Sequence, residues 1–140
     1  MIVNNTFSKT VDLLHRAMSV SSLRQSVIAN NLTNADTPNF KRTDVNFESE
    51  LKRALNSEKY KPALELRLTN PKHIPNWQPR NYQEVQPRRV LDYLTQSDNN
   101  GNNVDQEEEF NLLLKNQLRY MLLAQSAAFE YGQVNMVLRG

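Results

Sequence analysis

Two histidines, His15 and His73, and the run Glu107-Glu108-Glu109 are the residues of this 140-residue chain best suited to hold a metal or move a proton. No carboxylate recurs with either histidine at ligand spacing, so no metal site is expected. Consecutive residues of a helix point in different directions. The three glutamates therefore read as a solvated helix start, favoured by the positive end of the helix, and not as a cation cage. Glycines stand only at 101, 132 and 140, which leaves no phosphate-cradling loop. The absence of cysteine excludes a disulfide framework, a thiolate metal site and a cysteine nucleophile. No Ser/His/Asp arrangement can be argued, so neither catalysis nor a cofactor is expected.

Charge narrows the partners further. Seventeen basic and fifteen acidic residues give a net charge of +2, and no Lys/Arg cluster is interleaved with aromatics. Nucleic acid is not an expected partner, nor is a small-molecule substrate. The first fifteen residues lack the basic start and apolar run of a secretory signal. No stretch approaches the ~18 apolar residues of a membrane span. On these grounds alone the chain is expected in the cytoplasm. Hydrophobic residues at 39% and a mean hydropathy of -0.69 are lean for a compact globule.

The chain is organised around the stretch Ala29 to Arg42, where a long amphipathic pattern stops. From Thr6 to Thr33 the periodicity is helical. Phe7, Val11, Leu14, Met18, Ile28 and Leu32 fall on one heptad seam, with Ser21 and Gln25 as polar members. A second seam runs through Leu13, Val20 and Val27. Asn30, Asn31 and Asn34 follow, a residue type that tolerates the left-handed conformation ending many helices. Pro38 forbids resumption and pushes Thr37 into an extended conformation. Pro38-Asn39 is expected to centre a type II turn with positive φ at Asn39, followed by Phe40 and Lys41.

Asp44 to Leu55 predicts a short helix, with Asn46 as its cap and Phe47, Leu51 and Leu55 at four-residue spacing. Leu64 to Thr69 alternates strictly and predicts a strand. Arg88 to Thr95 predicts a second, joined to the first by a proline-rich connection. Gln96 to Asn103 reads as a polar loop. Asp105, with Glu108 three residues later, resembles a capping box. A helix is then expected from Gln106 to Leu138, interrupted only by a tolerable Gly132. Its apolar residues wrap much of the circumference, so it needs more neighbours than one small domain offers. Leu114, Met121, Ala124 and Ala128 form one seam, with the alanines marking close helix approach. The expected fold is mainly α. Two long terminal helices pack as an antiparallel coiled coil, residues 1–35 with 104–140, around an irregular, β-hairpin-containing middle at 36–103.

The stretch Ala29-Asn30-Asn31-Leu32-Thr33-Asn34-Ala35-Asp36-Thr37-Pro38-Asn39-Phe40-Lys41-Arg42 resembles the N-terminal signature of bacterial flagellar axial proteins. It departs from that pattern at Asn39, usually glycine, and at Phe40, often tyrosine. Leu66-Arg67-Leu68-Thr69, His73-Ile74-Pro75, Gly101-Asn102-Asn103-Val104-Asp105 and Asn116-Gln117-Leu118-Arg119-Tyr120 extend the likeness to proximal rod subunits over nearly the whole chain. The resemblance implies a structural subunit that assembles with copies of itself and with other rod and basal-body proteins. It also implies passage through the flagellar type III export apparatus without a cleaved signal, and a location in the periplasmic rod. Terminal helices would line the inner layer of a tube, with the middle outside. A monomer poorly folded at its ends would suit such export. Two other readings of the residues stand beside this one. One is a soluble helical adaptor forming a closed dimer or bundle. The other is a peripheral membrane binder, disfavoured because neither terminal helix carries a lysine-rich polar face.

Overall fold

A computed structural model of the chain describes residues 6–59, 67–74, 79–95 and 101–140. The chain is mainly helical, with elements α1 (Thr6–Thr33), β1 (Thr43–Asn46), α2 (Glu48–Lys59), β2 (Arg88–Leu91) and α3 (Gln106–Arg139). It forms two compact units, one of residues 1–45 with 89–140 and the other of residues 46–88.

In the first unit α1, of 28 residues, packs along α3, of 34 residues. At 1.5 Å per residue they are ~42 and ~51 Å long. Their register is read from three contacts. Asn31 meets Glu109, Asn116 meets Ser21, and Tyr131 meets Phe7. Position rises on one helix as it falls on the other, so the pair is antiparallel, as expected. α3 opens on Asp105, whose side chain accepts from the N–H groups of Glu107 and Glu108. These bonds satisfy two of the orphan donors of the first turn.

Both seams of α1 contribute to the contact, because Val20, Ser21, Val27, Ile28 and Asn31 are its buried residues. α3 buries Glu109, Asn116 and Ala127. Spacings of seven and eleven place these three on one side of a 3.6-residue helix. The other side carries Phe110, Leu114, Leu118, Met121, Phe129 and Met136, from 50% to 76% exposed.

β1 and β2 form a two-stranded antiparallel sheet, extended by a hydrogen bond of 2.9 Å from the Asp92 N–H to the Arg42 carbonyl. The hairpin is thus real but differently made from the one expected. Residues 64–66 of the expected first strand lie outside the described residues, and Arg67 to Thr69 are not in a strand. β1 supplies the partner from a segment expected to begin a helix. That helix is present from Glu48, two residues after its expected cap at Asn46, and runs on to Lys59. β2 ends at Leu91, short of the expected Thr95.

In the second unit α2 packs against a short 3-10 turn at Tyr82–Glu84, and the Ser57 hydroxyl accepts from the Arg80 N–H at 2.8 Å. Phe47 and Ala54 are buried there. A shallow, polar depression of about 750 Å³ faces Glu50, Arg80, Glu84 and Arg88. Glu50 lies 3.0 Å from Arg53 and 3.7 Å from Arg80.

Candidate functional site: a turn clamped by asparagines

α1 ends at Thr33 without a left-handed asparagine. Instead the Asn34 side-chain amide donates to the Asn30 carbonyl at 2.8 Å, and its backbone N–H donates to the Asn31 carbonyl at 3.1 Å. Among the described non-glycine residues, positive φ is confined to Asn39, at 60°. The Phe40 N–H donates to the Thr37 carbonyl at 3.3 Å across Pro38-Asn39. That is the bond and the dihedral a proline-led type II turn requires.

The turn is closed from outside. Asn102, with no exposed surface, points its amide nitrogen at three carbonyls: Asn34 at 3.2 Å, Ala35 at 2.5 Å and Thr37 at 3.0 Å. An amide group has two N–H bonds, so three acceptors share them. Its oxygen accepts from the Val104 N–H at 2.7 Å, which fixes the loop to the start of α3. Gly101 has φ +80°, and a Cβ there would stand 2.7 Å from Oδ1 of Asn39. Glycine is required for this approach on both counts. The Lys41 ammonium donates to the Gly101 carbonyl at 2.8 Å, and the Arg42 N–H donates to Oδ1 of Asn103 at 2.6 Å.

Asn31 closes the base of the loop. Its oxygen accepts from the Thr43 N–H at 3.1 Å, and its nitrogen donates to the Thr43 carbonyl at 2.9 Å. A side chain thus takes the part of a neighbouring strand. The same nitrogen lies 3.2 Å from Oε2 of Glu109, whose other oxygen accepts from Nε of Arg42. Burial opposes the Arg42 charge. The hydrogen bond and charge of Glu109, with help from Glu108 and Asp44, outweigh it and raise the Arg42 pKa.

On the far side Asn103 donates to the Asp92 carbonyl at 2.7 Å and to the Thr95 hydroxyl at 3.2 Å. The Asp92 carboxylate accepts from the Thr95 hydroxyl and from the N–H groups of Leu94 and Thr95, which lowers its pKa.

The signature residues therefore divide by task. Asn31 is buried, Asn34, Phe40 and Lys41 are half-buried, and Asn30, Thr37, Pro38 and Asn39 are exposed. Of the packing seams, Ile28 is buried and Phe7, Val11, Leu14, Met18 and Leu32 are half-buried. Ala124 is half-buried, whereas Leu114, Met121 and Ala128 face solvent in the single chain; Ala127 takes the buried place between the alanines.

Four residues of the clamp and the helix pair escaped sequence reasoning. The expectation of a wholly solvated glutamate run fails at Glu109, which has no exposed surface because Arg42 and Asn31 claim both its oxygens. The polar loop likewise ends in two buried side chains, Asn102 and Asn103. The fourth is Asn116, one turn pair beyond Glu109. It donates to the Ser21 carbonyl at 2.8 Å and leaves its own oxygen buried without a partner. The seven-residue step from Glu109 to Asn116 was the available signal that one face of α3 is polar and buried. Among the described residues, no group of three His, Asp or Glu side chains is placed to hold a metal, and no helix is long and apolar enough to cross a membrane.

The family model described as the flagella basal body rod protein matches residues 14–41, from the middle of α1 to the lysine that bonds Gly101. A flagellar basal body rod protein FlgB of Borreliella burgdorferi is 44% identical over 96% of this chain and 99% of the relative. The chain belongs to the FlgB family of flagellar basal body rod proteins. A FlgB of Borrelia hermsii is 45% identical over the same shares, and one of Bacillus subtilis is 32% identical over 96% of each chain. Membership in the FlgB family sets the chain among structural components of the flagellar basal body. The matched segment holds the turn side of the clamp, Asn31 to Lys41, and the clamping residues 101–109 lie beyond it.

Proposed function

We propose that this FlgB-family chain is a subunit of the proximal rod, built into a helical tube with copies of itself and with other rod and basal-body proteins. One observation carries the reading. α3 has two usable faces, and α1 covers one of them; the apolar residues of the other, from Phe110 to Met136, are at least half exposed in the single chain. Covering it would contribute about 25 cal/mol for each Å² removed from water, against the entropy of ordering the helices. In a tube, torque passes through many such packed contacts and needs no catalytic group. Delivery by the type III export apparatus, with a monomer only loosely ordered at its ends, suits a subunit completed by its neighbours.

A closed dimer or bundle would bury the same face. The two differ in closure, because heterologous contacts propagate and isologous ones stop. Ala124 lies at the border between the covered and uncovered faces. Ala124→Leu should overpack the close approach there, at about 1–3 kcal/mol per contact, and the lesion recurs in every copy. Rods recovered from cells expressing Ala124→Leu at matched levels should be few. Glu108→Gln should matter less, since a charge near a helix start contributes ~0.3–1 kcal/mol. Normal rods from Ala124→Leu, or a worse defect from Glu108→Gln, would remove this face from the contact. A discrete closed dimer of the purified chain that excludes other rod proteins would favour the adaptor.

A further inference from the structure

We infer that the turn at residues 34–42 is a latch, closed only in a chain whose α1 and α3 are paired. The inference concerns the single chain and does not depend on the assembly reading. The turn does little to close itself. Its internal backbone bonds, from the Thr37 N–H to Asn34 and from the Phe40 N–H to Thr37, span three residues each. The side-chain bonds to its carbonyls come from Asn102, and its exit is held by Gly101, Asn103 and Glu109 together with the Asp92 N–H on the Arg42 carbonyl.

Of these, Gly101, Asn102, Asn103 and Glu109 lie at the start of α3 or in the loop that leads into it. Asn102 is bonded to Val104, Val104 is buried, and Asp105 caps the helix. Asn31, on the last turn of α1, closes the circuit through Thr43 and Glu109. The network thus spans the end of one helix, the start of the other and the loop between α1 and β1. Half-made, it would bury an amide, a carboxylate and several carbonyls without partners, so it favours the fully made and the fully open forms over anything between. The exposed tip, Asp36 to Asn39, consequently takes its fixed shape only when the helices have met. Any neighbour that reads the tip reads the pairing of the helices with it.

The test uses the full-length chain labelled with nitrogen-15, with amide exchange followed from milliseconds upward. Phe40 and Thr43 report the turn, and Ile28 reports the helix pair. Asn102→Ala removes the plug. Val20→Asp places a charge in the buried face of α1, 11 residues before Asn31, without touching the turn. Both variants should accelerate exchange at Phe40 and Thr43 at least tenfold. Wild-type protection at Phe40 and Thr43 in Val20→Asp, with Ile28 exposed, would overturn the inference, since the turn would then close alone. Should Val20→Asp fail to give a soluble chain, the wild type in graded urea decides. One common urea dependence for Phe40, Thr43 and Ile28 is expected. A turn that opens on a separate dependence from Ile28 overturns the latch.

Discussion

The two ends of the helix pair are built on opposite plans. At the end where α1 enters the turn, the contact is buried and polar, with Asn31, Asn102, Asn103 and Glu109 all enclosed. At the other end, where α1 begins and α3 finishes, no described residue of α1 before Val20 and none of α3 after Ala127 is buried. The contacts there include a Phe7–Tyr131 edge-on ring pair at 6.3 Å and an exposed His15–Tyr131 hydrogen bond of 3.1 Å. Met136, Val137 and Leu138 are at least 76% exposed. Buried polar networks specify one geometry because their alternatives leave groups unsatisfied. Loose apolar contacts specify little and can be completed by whatever packs on them. One end fixes the register of the pair, and the other is left for neighbours to finish.

The largest expected effect tests that division directly. Glu109→Ala takes the carboxylate from the part-buried Arg42 guanidinium and leaves the Asn31 amide with the Thr43 carbonyl alone. Removing one partner of a fully buried pair costs about 3–5 kcal/mol, and Arg42 keeps 18% of its side chain exposed, so that range is an upper bound. The Asp12–Arg16 pair of the open end, at 3.1 Å on the surface of α1, is a control of the same chemistry. Asp12→Ala should cost only ~0.3–0.5 kcal/mol. Urea unfolding of the two purified variants decides. Equal losses would mean that burial, and with it the contrast between the ends, has no energetic content.

A smaller effect sharpens what the turn contributes. Asn39 holds φ at 60°, a conformation that costs an ordinary side chain roughly 1–2 kcal/mol and is worst for β-branched residues. Asn39→Val should lose about that much stability and impair swimming. Asn39→Gly should keep both, because glycine enters this region freely. A motile, fully stable Asn39→Val would show that the dihedral is incidental.

Legibility in the sequence follows the same division. The bounds of α1 and α3 were readable because each helix carries its own periodicity, and the turn because Pro38 and Asn39 act within four residues. The clamp was not. Asn102 reaches carbonyls 65 to 68 residues away, and Glu109 reaches an arginine 67 residues away. No local pattern announces such bonds, and a polar loop composition conceals them. β1 was hidden for a different reason. Four residues, Thr43 to Asn46, are too few to show an alternation, and their strand state depends on Asn31 and on β2. Of the alternating Leu64 to Thr69, the described residues Arg67 to Thr69 form no strand.

The smallest expected effect lies at the open end, where its size is the point. Tyr131 is 46% exposed and contacts both Phe7 and His15. Tyr131→Phe removes only the hydroxyl bond, and an exposed substitution of this kind usually changes stability by no more than ~0.5 kcal/mol. Tyr131→Ala also removes the ring contact, which adds about 0.5–1.5 kcal/mol. In the purified chain both losses should stay well below that of Glu109→Ala. If neighbours enclose this end in a rod, the tyrosine loses its contact with water and the cost of Tyr131→Ala should grow. Rod recovery should then fall further than monomer stability predicts. A Tyr131→Ala monomer as unstable as Glu109→Ala would show that the open end holds the pair together as firmly as the latch. A stable monomer with normal rods would show instead that neighbours leave this end alone.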